Sequence, residues 1–115
     1  MAGSADTRTA QTLSCVLVED NESVLRALET LLRSEGIDVV GTAGTGFEAL
    51  RILEQRRPSA LVVDLRLPDL DGIEVARRAG ELPGSPLDVI IYTSYADGAL
   101  VRSVSHVPMR AISCA

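Results

Sequence analysis

Four short apolar runs, each too short for a helix, are spaced along the chain with a helical pattern between them. The runs are Leu13–Val18, Ile37–Val40, Ala60–Val63 and Leu87–Tyr92. Runs of four to six residues rich in Val, Ile and Leu suit strands buried on both faces. Between the first two, Leu25, Leu28 and Leu32 fall at i, i+3 and i+7, flanked by Val24 and Leu31, and Gly36 ends the stripe as a left-handed cap residue would. Gly41–Gly46 reads as a flexible loop, too irregular for a dinucleotide fingerprint. Ala49, Leu50 and Leu53 begin a second stripe, which Arg56-Arg57-Pro58 closes. Leu65–Gly72 reads as a turn-rich loop, Ile73–Leu82 as a short helix broken by Pro83-Gly-Ser-Pro86, and Gly98 to about His106 as a helix capped by Asp97. Arg110–Cys114 is a short fifth strand.

Strands alternating with helices of about ten residues imply βαβ units and a parallel sheet. The expected fold is α/β: a three-layer, doubly wound parallel sheet in the flavodoxin-like order 2-1-3-4-5, with right-handed crossovers and its final helix missing. Residues 1–11 lack any period and read as a flexible tail, which leaves 12–115 as the folded unit.

Composition narrows the function. The 115 residues carry a net charge of −5, a pI near 4.7 and only three aromatic side chains, Phe47, Tyr92 and Tyr95. That argues against direct nucleic-acid binding. No apolar run approaches the roughly 18 residues of a membrane span. The first residues lack a basic-then-apolar leader, and Cys15 and Cys114 read as thiols in a reducing cytoplasm.

In an open parallel sheet, chemistry collects at the carboxyl ends of the strands. Here those ends lead into Glu19-Asp20, Asp64 and Thr93. Each acid alone could be a helix cap or a turn former. Together they place three carboxylates from two strands in one cleft, where like charges repel unless a hard cation sits between them; Mg²⁺ fits such oxygen donors. Thr93 adds a hydroxyl at the rim.

Three segments carry a family resemblance: Val16-Leu-Val-Glu19-Asp20-Asn21, Leu61-Val-Val-Asp64-Leu-Arg-Leu-Pro68-Asp-Leu-Asp-Gly72, and Val89-Ile-Ile-Tyr-Thr93-Ser94. The chain resembles a response regulator receiver domain (CheY-like) of two-component signalling, C-terminally incomplete or divergent after about residue 106. Asp20 and Asp64 stand 44 residues apart, as the family pattern requires. The resemblance implies that Asp64 is the phosphoacceptor, taking phosphoryl from a sensor histidine kinase. It implies that Asp20 binds Mg²⁺ directly, Glu19 through water, and Arg66 through its backbone carbonyl. Thr93 would be the switch hydroxyl, and Pro68 and Gly72 would shape the loop after the nucleophile, Gly72 by permitting a backbone angle that other residues resist. It further implies a phosphorelay switch rather than a conventional enzyme, a DNA-binding output domain outside this chain, cytoplasmic location and homodimers.

The strand-five Lys of the family, due near Cys114 or Ala115, is absent; Arg110 is the only cation nearby, and no aromatic residue stands near Ile112. Three explanations stay open: a truncated or non-native end, a divergent switch, or partner binding without phosphorylation. A flavodoxin-like binding domain is the further alternative, although Glu19-Asp20 would repel FMN. Asp69-Leu-Asp71-Gly72 lacks the ligands of a calcium loop, Asn21-Glu-Ser23 matches a glycosylation acceptor that a chain without a leader would not present, and His106 reads as a surface or helix-capping residue.

Overall fold

The computed structural model describes residues 13–84, 86–93 and the backbone of 109–113. The elements run β1 (Ser14–Val18), α1 (Glu22–Ser34), β2 (Asp38–Ala43), α2 (Gly46–Gln55), β3 (Ala60–Asp64), α3 (Gly72–Gly80), β4 (Asp88–Thr93) and β5 (Met109–Ser113). All strand pairs are parallel and the sheet order is β2-β1-β3-β4-β5, as expected from the sequence. The expected tail over 1–11, the helix over 98–106 with its cap Asp97, and Cys114 lie outside the described residues.

Strand alternation sorts the core into two layers. Val16 and Val18 of β1, Leu61 and Val63 of β3, and Val89 and Ile91 of β4 face α2 and α3, meeting Ala49, Leu53, Val75, Ala76 and Ala79. Cys15, Leu17, Val62 and Tyr92 point the other way, toward Leu25, Leu28 and Leu32 of α1. A sheet buried on both sides demands uninterrupted apolar strands, which is what the sequence contains. Of the residues flanking the α1 stripe, Leu31 is 54% exposed, so the stripe is narrower than its spacing suggested.

One local expectation changes. Strand β2 continues through Gly41-Thr42-Ala43, so the glycine-rich stretch is not one flexible loop: Gly41 lies in the strand and Gly46 opens α2. A bulge between Cys15 and Val16 lets β1 stay paired as β2 lengthens. Helix ends follow ordinary capping chemistry. Asn21 accepts from the Val24 N–H, Thr45 from Glu48 and Asp71 from Glu74. Gly36 has φ +84°, the left-handed conformation expected of it.

The two core faces predict a mutational contrast. Leu17→Ala and Ile91→Ala, at fully buried positions, should each lower the unfolding free energy by about 2–5 kcal/mol. Leu31→Ala should change it by less than about 0.5 kcal/mol. Urea melts followed by circular dichroism measure both.

Candidate functional site

Strands β1 and β3 are adjacent and in register, Val18 lying beside Val63. Their carboxyl ends therefore open at the same sheet edge, and Glu19, Asp20 and Asp64 meet there. Carboxylate oxygens of these three residues lie within 4.8 Å of one another. Glu19 and Asp64 are buried, at 2% and 3% exposure, whereas Asp20 is exposed to solvent.

The sequence left capping open as the role of the acidic pair. Neither acid caps α1; Asn21 does, through its Oδ1. Glu19 is held instead at both oxygens. Its Oε2 accepts from the Asn21 N–H at 2.9 Å, and its Oε1 accepts a short bond from the Tyr92 hydroxyl. Asp64 Oδ1 accepts from the Arg66 N–H at 3.3 Å. Arg66 in turn forms an isolated bridge with Asp71, which closes the loop before α3.

Burial lifts the Asp64 carboxyl from the ordinary 3.8 to about 6. The Arg66 N–H bond opposes that rise, and the charges of Glu19 and Asp20 add to it. A cleft that holds three oxygen acids together at this electrostatic cost suits a hard divalent cation, and the donor set fits Mg²⁺. Thr93 is buried at the same edge, one residue beyond Tyr92, which is the cross-strand partner of Asp64.

Gly72 is needed for a different reason from the one the sequence suggested. Its φ is not positive. A Cβ there would lie 2.6 Å from the Asp64 carbonyl oxygen and 3.0 Å from the Leu65 Cα, so the loop can close on β3 only without a side chain. The Gly72 N–H donates to the Leu65 carbonyl at 2.7 Å, completing that closure.

Two residues whose side chains bond across elements at this edge escaped sequence reasoning. Asp69 reaches from the loop after Asp64 to the start of α2, where its carboxylate oxygens accept from the Gly46 and Phe47 N–H groups at 2.8 and 2.9 Å. Against a desolvation cost, these bonds and that from the Leu70 N–H hold Asp69 below the usual carboxylate range. Tyr92 is the other, since its spacing marks only a core position. Arg110, the cation nearest the expected Lys, pairs in register with Ile90, whereas Ser113 pairs with Thr93 at the strand end. Cys15 is buried, and burial pushes its thiol up to about 11, which leaves it inert as a nucleophile.

Comparison with known proteins agrees with this geometry. A family model described as the response regulator receiver domain matches residues 15–111. The transcription regulator BvgA of Bordetella pertussis is 36% identical over 88 residues, covering 76% of this chain and 42% of its own length. A LuxR-family two-component response regulator from Aurantimonas superposes with a TM-score of 0.67 at 32% identity, covering 73% of this chain and 60% of that one. The receiver domain of the Pseudomonas aeruginosa sensor histidine kinase PA1611, solved with a magnesium ion in its active-site cleft, gives 0.60 at 32% identity over 69% and 66%. The chain spans less than half the length of the curated relatives it matches. It belongs to the response regulator receiver domain family. Among the described residues, no helix is long and apolar enough to cross a membrane.

The raised Asp64 acidity makes stability depend on pH. The folded chain holds this proton more tightly than the unfolded chain, so metal-free stability should fall as pH rises from about 4 to about 6 and level off above. Asp64→Asn should remove that slope and raise the melting temperature at pH 7.5 by about 5 °C. Gly72→Ala should cost about 1–3 kcal/mol, because the Asp64 backbone must shift to admit the methyl group. Thermal melts in chelator-treated buffer across this pH range report all three.

Proposed function

We propose that Asp64 accepts a phosphoryl group from a phosphohistidine on a sensor kinase, with Mg²⁺ in the cleft, and that this receiver thereby acts as a phosphorelay switch. The observation that carries the reading is the meeting of Glu19, Asp20 and Asp64 at one sheet edge. Asp20, the exposed member, and Asp64 are the direct ligands in this reading. Glu19 acts through water, and the Arg66 carbonyl completes the protein's share. When bound, Mg²⁺ neutralises the carboxylates and offsets charge that develops on the transferring group.

The chain's own residues supply the remainder. An Asp64 carboxylate oxygen attacks phosphorus as the bond from phosphorus to the imidazole nitrogen breaks; the electron pair returns to the imidazole, and the product is an acyl phosphate. The Arg66 N–H bond orients the carboxylate, leaving its other oxygen for attack. Gly72 and the Arg66–Asp71 bridge hold the loop clear of the incoming group. The Thr93 hydroxyl donates to a phosphoryl oxygen. Phosphorylation adds about one negative charge, and each new charge-assisted bond, worth roughly 1.5–3 kcal/mol, can bias the domain between two arrangements.

The relatives support a wider setting for this switch. BvgA, a transcription regulator, and the LuxR-family two-component response regulator favour a transcriptional output domain and a kinase partner for this chain; residues 12–115 are the receiver unit in this reading, acting in the cytoplasm as a homodimer. A purely phosphorylation-independent interaction domain would have no use for the acidic cleft.

Incubation with an acyl phosphate and Mg²⁺ should add the mass of one phosphoryl group, and chelation should abolish the gain. Asp64→Asn should show none, and Asp20→Asn should slow it more than about tenfold at limiting Mg²⁺. Thr93→Ala should still take the group while its amide spectrum changes less than that of the wild type. An unmodified wild type, or an adduct that survives Asp64→Asn, overturns the assignment.

A further inference from the structure

The Tyr92 side chain is 2% exposed and lies in the core layer beneath α1 with Cys15, Leu17, Val39 and Val62. Its hydroxyl, however, reaches the acidic cleft and donates to Glu19 Oε1. The Tyr92 backbone is tied to the neighbouring acid as well. Tyr92 is the register partner of Asp64, and its carbonyl accepts from the Leu65 N–H at 2.8 Å. One residue of β4 thus spans two strands, holding the nucleophile strand through its main chain and Glu19 through its side chain.

We infer that Tyr92 is a positioning residue for the metal cleft, acting through Glu19. Glu19 is buried and carries a long side chain with several rotatable bonds. Two neutral donors, the Tyr92 hydroxyl and the Asn21 N–H, fix one oxygen each. The carboxylate therefore presents the same face to the cleft before any cation arrives, and the cost of ordering it is met on folding rather than on binding. Partners of this kind behind metal ligands typically govern affinity by 10–100-fold. Removing the hydroxyl leaves Glu19 Oε1 buried without this donor, and the carboxylate loses one of the two bonds that fix its orientation beside Asp64. The inference rests on the proposed Mg²⁺ site.

The test compares wild type with Tyr92→Phe, which keeps the ring in the core, by calorimetric Mg²⁺ titration of the full 115-residue chain. The variant should bind Mg²⁺ about tenfold more weakly. Glu19→Gln and the double variant complete a cycle, in which the two losses should be strongly non-additive because Tyr92 acts through Glu19. Mg²⁺ should also perturb the tyrosine absorption band of wild type and of Tyr95→Phe, but not that of Tyr92→Phe. If Tyr92→Phe fails to fold, the band decides alone: it must respond in wild type and in Tyr95→Phe and stay still in Glu19→Gln. Equal Mg²⁺ affinities in wild type and Tyr92→Phe, additive losses, or a band that ignores Mg²⁺ in a binding wild type overturn the role of Tyr92 and leave the metal site standing. A wild type that binds no Mg²⁺ overturns both.

Discussion

Mutual repulsion among Glu19, Asp20 and Asp64 is the constraint around which this domain is organised. Two of these carboxylates are buried, where a charge is costly and a neighbouring like charge more so. Nothing in the apolar core would gather them; the parallel sheet does so because its strand ends all open at one edge. The two buried acids are then held by donors that carry no charge: Glu19 by the Asn21 N–H and the Tyr92 hydroxyl, Asp64 by the Arg66 N–H. Such donors orient the acids without cancelling their charge, and the field in the cleft stays strongly attractive to a cation. A guanidinium in the same place would have satisfied the charge and closed the site to metal.

The loop from Leu65 to Asp71 links this cleft to the rest of the fold. Gly72 packs against the Asp64 carbonyl, the Arg66–Asp71 bridge closes the loop, Asp71 caps α3, and Asp69 caps α2 from across the groove. Four structural tasks therefore sit within nine residues of the end of β3. Under the proposed function, a change in the charge of Asp64 would act on a segment that two helices share, a physical route from chemistry to shape.

Much of this was legible in the residue order. The strands followed from β-branched runs, the helices from their leucine and alanine stripes, and the acids from their place just after β1 and at the end of β3. The misreadings have local causes. Gly41 looks like a loop residue by composition, but it continues β2 because pairing with β1 outweighs its weak strand preference. Gly72 was expected to permit a backbone angle that other residues resist, whereas its φ is not positive and its purpose is steric. Asn21, rather than the acids before it, caps α1, because Glu19 is already engaged by the Asn21 N–H and Tyr92.

The sequence by itself determined the element order, the two-sided burial of the strands and the identity of the three acids, because hydrophobic period and strand-end position are written in neighbouring residues. Only the tertiary structure decided which groups hold those acids in place. Tyr92 and Glu19 are 73 residues apart, and Asp69 lies 23 residues from the helix end it caps. Contacts between such distant residues leave no periodic trace in the chain. They exist only once adjacent strands have set the distance between β1 and the far side of β3, and that distance is fixed by main-chain hydrogen bonding that any sequence able to form the sheet would share.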